Sequence, residues 1–238
     1  MGKQVDKVRH DLENCADPVK VAHLARFFQA YPGGYGEGDR FIGVSVPNQR
    51  KIARSYFQTF SFSELEELIR DPLHECRLTA IFILILNYEK TEKEPEREAL
   101  VKLYLDNLVW INNWDLVDSS AYKILGPHLF RRDRSVLYEL AASGELWKQR
   151  VAVIATLYFI RNKDYADILN LACLLLKHEH DLIHKAIGWM LREVGNRDFD
   201  LEYNFLKQYY RGMPRTMLRY ASEKFDEELR QKFLKGLV

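Results

Sequence analysis

The chain has 238 residues, 47% hydrophobic and 29% charged, room enough for a well-filled core in one large domain or two small ones. A formal net charge of +1 excludes capture of an anionic partner by sheer charge excess, and three scattered cysteines exclude a disulfide framework and point to a reducing cytoplasm. The opening MGKQVDKVRHDLENC lacks the apolar run of a signal peptide, and the greasiest stretch, AIFILIL at 80–86, is too short to span a bilayer, so no membrane partner is expected.

Helical periodicity runs through the chain, while period-two alternation is short wherever it occurs. Helix starts are expected near Asp17, with Pro18 at the first helical position, then at Ser61 or Ser63, Asp71, Asp164 and Asp198. The glycine-rich stretch GGYGEGDRFIGVSVPNQRK at 33–51 reads as a long loop, and Pro47 opens the helix after it. AIFILIL reads as a helix buried nearly all round.

Five segments resemble one another: HECRLTAIFILIL, WDLVDSSAYKIL, WKQRVAVIATLYF, LIHKAIGWMLREV and PRTMLRYASEKF. Each begins polar or aromatic, reaches one charged residue, and continues into small and apolar residues. Their alignment puts Arg77, Asp118, Arg150, Lys185 and Arg215 in one column, at separations of 41, 32, 35 and 30 residues. Those are the lengths of two-helix repeats. The expected fold is therefore all-α: a single domain over 1–238, an α-solenoid of HEAT-like helix pairs whose second helices line a concave cleft. Four of the five column positions are basic, which suits a polyanion track, and duplex DNA has the regular charge to match. The competing structural reading makes each an edge charge paired with a nearby acid.

Asp118 is the exception in that column. In WINNWDLVDSSAYKILG, residues 110–126, a helix from Trp114 places Trp114 and Asp118 one turn apart on one face. A carboxylate in a phosphate track costs affinity, so it should have chemistry to do. Other constellations carry less. The imidazoles of His178, His180 and His184 in KHEHDLIH lack the H-E-x-x-H order, and no metal is expected there. GGYGEG follows a helix and lacks GK[ST], so it reads as a loop only. Cys173 reads as core, Trp110 as packing between repeats, and Trp147 as a staple at a helix start.

WDLVDS, WKQRVAVIATL and KAIGWMLREVG, with RFIGVSVPNQRKIAR near the front and PRTMLRYASEKF near the end, resemble the AlkD family of DNA alkylation repair glycosylases, built from HEAT-like repeats. The resemblance covers most of the chain. It implies an enzyme that grips duplex DNA in a concave cleft and cuts the N-glycosidic bond of cationic 3-methyladenine and 7-methylguanine without obligatory base flipping; a monomer is the default expectation, and one acid with two indoles needs no cofactor. By match to the motif, Asp118 is the catalytic carboxylate, Trp114 and Trp189 are aromatic walls beside the lesion's sugar, and Arg150 contacts the DNA backbone. Lys185, Arg77 and Arg215 complete the expected DNA contacts through the column. The chain departs from the family where an aromatic pair gives way to Asp181 and Leu182, just before KAIGW.

The residue types fit that chemistry. An N3- or N7-alkylated purine is already cationic and departs as a neutral base, so the usual pair of carboxylates can shrink to one. The alternative from another class is a non-catalytic helical-repeat binder of DNA structures or of a protein partner.

Overall fold

The computed structural model describes residues 2–238 and holds, among them, fifteen α-helices, three short 3-10 segments and no strand beyond an isolated Arg40–Leu73 bridge. The all-α expectation holds. The chain forms two compact units, Met1–Ser120 and Ala121–Val238.

In the first unit the helices are α1 (Lys3–Glu13), α2 (Pro18–Phe27), α3 (Val46–Tyr56), α4 (Phe62–Ile69), α5 (His74–Lys90), α6 (Glu94–Asp106) and the start of α7 (Trp114–Leu129). Local chemistry sets several of these starts. Asp17 accepts the Val19 N–H with Pro18 at the first turn, and Ser61 and Glu64 form a reciprocal capping box. Pro47 sits in the first turn of α3, as its fixed φ favours. Asp71, however, caps nothing. Pro72 disfavours helical backbone before it, and the Asp71 carboxylate accepts from the Leu73 N–H and pairs with Arg9 at 2.5 Å, so α5 begins at His74.

The apolar run from Ala80 to Ile85 is buried on every side, and α5 is accordingly the hub against which α1, α3, α4 and α6 pack. Removing each such aliphatic side chain from water is worth about 1.5–3 kcal/mol. The long loop before α3 is tied to the start of α5. Glu75 accepts the N–H groups of Ile42, Gly43 and Val44, at 3.1, 2.8 and 3.3 Å, and His74 N–H donates to the Arg40 carbonyl. Gly43 sits at φ +88, where a side chain would also run into the Asp17 carbonyl.

The second unit holds the rest of α7, then α8 (Ser135–Ala142), α9 (Leu146–Ala155), α10 (Leu157–Arg161), α11 (Ala166–Leu174), α12 (Asp181–Gly195), α13 (Phe199–Tyr209), α14 (Arg215–Ala221) and α15 (Glu227–Lys235). Here the repeat is plain. The helices carrying Arg150, Lys185 and Arg215 are α9, α12 and α14; α12 packs on both of the others, while α8 packs on α9, and α11 and α13 pack on α12. Gly188 of α12 permits close approach to α14, since a side chain there would meet the Met217 carbonyl oxygen at 2.6 Å. Asp198 caps α13 as expected. Asp164 does not cap α11, which starts at Ala166; it pairs with Arg134 at 2.8 Å instead. Cys173 is exposed rather than in the core, and Trp110 is also exposed, on the 3-10 turn before α7.

Candidate active site

The start of α7 answers why two acids follow Trp114 within one turn. Asn113 accepts the Trp114 N–H at 2.9 Å, fixing where the helix begins. Asp115 then points to His74, accepting from Nε2 at 2.8 Å, while Nδ1 of the same ring donates to Asp39 at 2.9 Å. Burial alone would lower the His74 pKa, but the two carboxylates outweigh it and raise the value to about 9. His74 is therefore an imidazolium at neutral pH. Asp39 is likewise held below the usual carboxylate range, because His74 and Arg77 outweigh its burial. Asp115 is thus a structural acid.

Asp118 lies one turn further along and is half-buried, as are Trp114 and Ser119 beside it. The Trp114 ring stacks on Phe28 at 5.3 Å and meets Phe27 edge-on at 5.7 Å. Phe28, Phe41 and His74 in turn stack on one another within 5.4 Å. An aromatic and ionic cluster so orients the indole one turn before Asp118. Sequence reading missed His74, Phe27, Phe28 and Phe41 as parts of this cluster. The acid beside Trp114 was the signal available for a cationic partner.

Arg77 does not belong to a DNA-facing column. It is 3% exposed, donates to Asp39 at 2.5 Å and to the Asp71 carbonyl at 3.0 Å, and so locks the loop to α5. A buried guanidinium committed to a buried carboxylate cannot leave for a phosphate without stranding its partner. The structural reading applies to this position.

In the second unit Arg150 is 5% exposed and donates to the Leu182 carbonyl at 2.5 Å, tying α9 to the first turn of α12. Lys185 is partly exposed and pairs with Asp181 at 2.8 Å. Although partial burial works against ionisation, hydrogen bonds from Lys185 and Thr216 hold the Asp181 carboxylate below its ordinary pKa. Asp181 so neutralises the column lysine and ties α12 to α14. Trp189, half-buried one turn after Lys185, donates from Nε1 to Glu193 at 3.4 Å. Arg215 is exposed and donates to the Leu234 carbonyl at the end of α15. The second unit thus assembles Arg150, Lys185 and Trp189 along α9 and α12, with Arg215 on the neighbouring helix.

The three imidazoles near the start of α12 serve the backbone. His178 Nδ1 accepts the His180 N–H at 3.0 Å, and His180 Nδ1 accepts the Leu182 N–H at 3.1 Å. His184 Nε2 donates to the His178 carbonyl. Among the described residues, no group of three His, Cys, Asp or Glu side chains is placed to hold a metal ion, and no helix is long and apolar enough to cross a membrane.

A family model described as DNA alkylation repair enzyme matches residues 8–225. The chain belongs to that family. A role in the repair of alkylated DNA follows from the membership. Among solved structures, a predicted DNA alkylation repair enzyme from Enterococcus faecalis shares the fold with a TM-score of 0.70 at 17% identity, over 89% of this chain and 97% of that one. No curated protein matches the chain. The family match reaches into both units and leaves out only residues 1–7 and 226–238, the latter carrying α15, so the Trp114–Asp118 pair lies well inside it.

Proposed function

We propose that this protein is a DNA glycosylase that hydrolyses the N-glycosidic bond of cationic alkylated purines, 3-methyladenine and 7-methylguanine, in duplex DNA, as the first step of base excision. Base flipping is not obligatory in this reading. The observation that carries it is the half-buried Asp118 one helical turn from an oriented Trp114, in a member of an alkylation repair family.

The chemistry follows from the charge of the lesion. The alkylated base leaves as a neutral molecule, taking the electrons of the C1′–N bond with it, and positive charge grows on the deoxyribose. Asp118 stabilises that charge and orients the water that attacks C1′. The indole faces of Trp114 and Trp189 attract the same cationic character, worth about 0.5–2 kcal/mol apiece depending on desolvation. Arg150, Lys185 and Arg215, on α9, α12 and α14, hold the sugar–phosphate backbone. The site relies on one acid and two indoles, and assigns no step to a cofactor.

Single-turnover excision from a duplex with one 7-methylguanine tests this reading. Asp118→Asn keeps shape and removes charge, so excision is expected to fall on the order of 10²–10³ while DNA binding survives. Trp114→Ala and Trp189→Ala each cost less, and combination with Asp118→Asn is less than additive if all three act on one developing charge. Wild-type rates in a folded Asp118→Asn protein would place the active site elsewhere. No base release by wild type on either lesion would favour a non-catalytic DNA binder.

A further inference from the structure

A cavity of about 370 Å³ lies wholly within the first unit, under α2 and between the starts of α3, α5 and α7. Its size falls within the roughly 300–1,000 Å³ of small-molecule sites. Phe27, Phe28, Phe41 and Trp114 contribute aromatic walls, and Gln49 and His74 are polar residues on it alongside Lys20, His23, Ser45, Glu75 and Asp115.

Gln49 is the decisive residue. It is 3% exposed, its Nε2 donates to the Val44 carbonyl at 2.8 Å, and its Oε1, also buried, has no partner. The carbonyl acceptor fixes which end of the amide is which. A buried acceptor left unpaired on a cavity wall is costly in the empty protein and is relieved by a ligand that brings an N–H. The charged groups on the wall have their partners already. Glu75 is held by three backbone N–H groups, Asp115 by His74 and the Leu116 N–H, His74 by Asp39 and Asp115, and Lys20 by Asp17 at 2.8 Å. Nothing there selects a phosphate or an ammonium group. Stacking surfaces together with one unmet acceptor select a flat nitrogen heterocycle.

The wall formed by α2 is open to such a ring. None of its residues is buried, Phe27 is 54% exposed, and Val19 on the same face is 87% exposed. We propose that this cavity is a base pocket: it stacks a purine ring against the exposed Phe27 and the half-buried Trp114 while Gln49 Oε1 accepts a base N–H. The choice of a purine rests on the proposed glycosylase reading. Trp114, one turn from Asp118, then joins the pocket to the reacting carboxylate. The ring has two possible sources, the purine released by excision or a base of the duplex drawn out of its stack.

Two fluorescent probes separate these sources. Free 2-aminopurine riboside, which carries an exocyclic amino donor, is expected to be quenched saturably by the wild-type protein as it stacks. Phe27→Ala, on an exposed helix face, and Gln49→Leu should each weaken that binding about tenfold, the scale of losing one base–aromatic stack. Asp118→Asn should leave it unchanged. The second probe is a duplex with a single 2-aminopurine. An emission change on binding that Phe27→Ala abolishes assigns the pocket to a base of the DNA; ring binding without that change assigns it to the released purine. Absence of saturable ring binding, or binding indifferent to both Phe27→Ala and Gln49→Leu, overturns the proposal. Excision without ring binding removes the pocket and leaves the glycosylase reading, and ring binding without excision does the reverse.

Discussion

His74 sits between two acids and carries a charge that the fold depends on. Its pKa of about 9, against the ordinary 6.5, means its stabilising contribution is complete below pH 6.5 and is lost as pH rises through 9. His74→Gln removes the buried cation between Asp115 and Asp39, leaving Asp39 with its Arg77 partner, and should cost about 3–5 kcal/mol, as removal of one partner from a buried charge pair does. Urea melts at pH 6 and pH 10 check it: wild type should lose stability between them, and the variant should lose little more than it has already lost. Glu202 offers the opposite experiment. Burial outweighs the Arg192 charge and raises its pKa from 4.5 to about 8, and its Oε1 is buried without a partner. The folded state therefore keeps a proton that the unfolded chain releases, and stability drains away as pH rises from 4.5 through 8. Glu202→Gln should raise the melting temperature at pH 8 and remove that slope. An unchanged melting temperature would mean that Glu202 ionises freely in the fold.

Among the elements, α12 carries the most. Its first turn depends on neutral imidazoles, since His178 and His180 both accept backbone N–H groups through Nδ1. Burial, then the neighbouring histidine, lowers both pKa values below 6.5; Arg150 works in the same direction on His180, while Asp181 and Glu179 oppose. The stability from these two caps is full above pH 6.5 and falls as pH drops through the lowered folded values. His180→Asn retains a capping oxygen that no proton blocks, so its thermal melts should depend less on pH between 7 and 5 than wild type. Equal slopes would remove His180 from the account. At the other face, Gly188→Ala drives a methyl group into the backbone of α14 and should cost about 1–3 kcal/mol, read by chemical denaturation. The same change should lower DNA affinity, because α14 carries Arg215.

For the molecule as a whole, near-neutral charge means that DNA must be held by placement. The column expected to supply that placement contributes unevenly: Arg77 is locked inside the first unit, Arg150 is nearly buried, and Lys185 is paired with Asp181. The salt dependence of binding should accordingly be shallow. Arg215→Ala should reduce the slope of log affinity against log salt by about one unit, whereas Arg77→Ala should lower stability and leave the slope of the folded fraction unchanged. Titration of duplex DNA at several salt concentrations distinguishes the two. A one-unit loss from Arg77→Ala would return it to the DNA-contact column.

What the sequence by itself determined is what depends on neighbours within a few positions. Asp17, Ser61 and Asp198 cap their helices because each partner N–H lies two or three residues on, and the spacing of the five similar segments reflects one helix pair repeated. The Trp114–Asp118 pair was legible for the same reason, since helical geometry alone puts residues four apart on one face. Tertiary structure decided the rest. Asp71 and Arg77 look like a cap and a phosphate ligand until Arg9 and Asp39, 62 and 38 residues away, claim them. His74 becomes a cation at neutral pH only when residues 35 and 41 positions distant meet on its two nitrogens. Gln49 becomes an unmet acceptor only when a loop carbonyl takes its amide nitrogen inside a cavity. Periodicity says which face of a helix is apolar; what a polar side chain does is set by the group it meets, and that group comes from elsewhere in the chain.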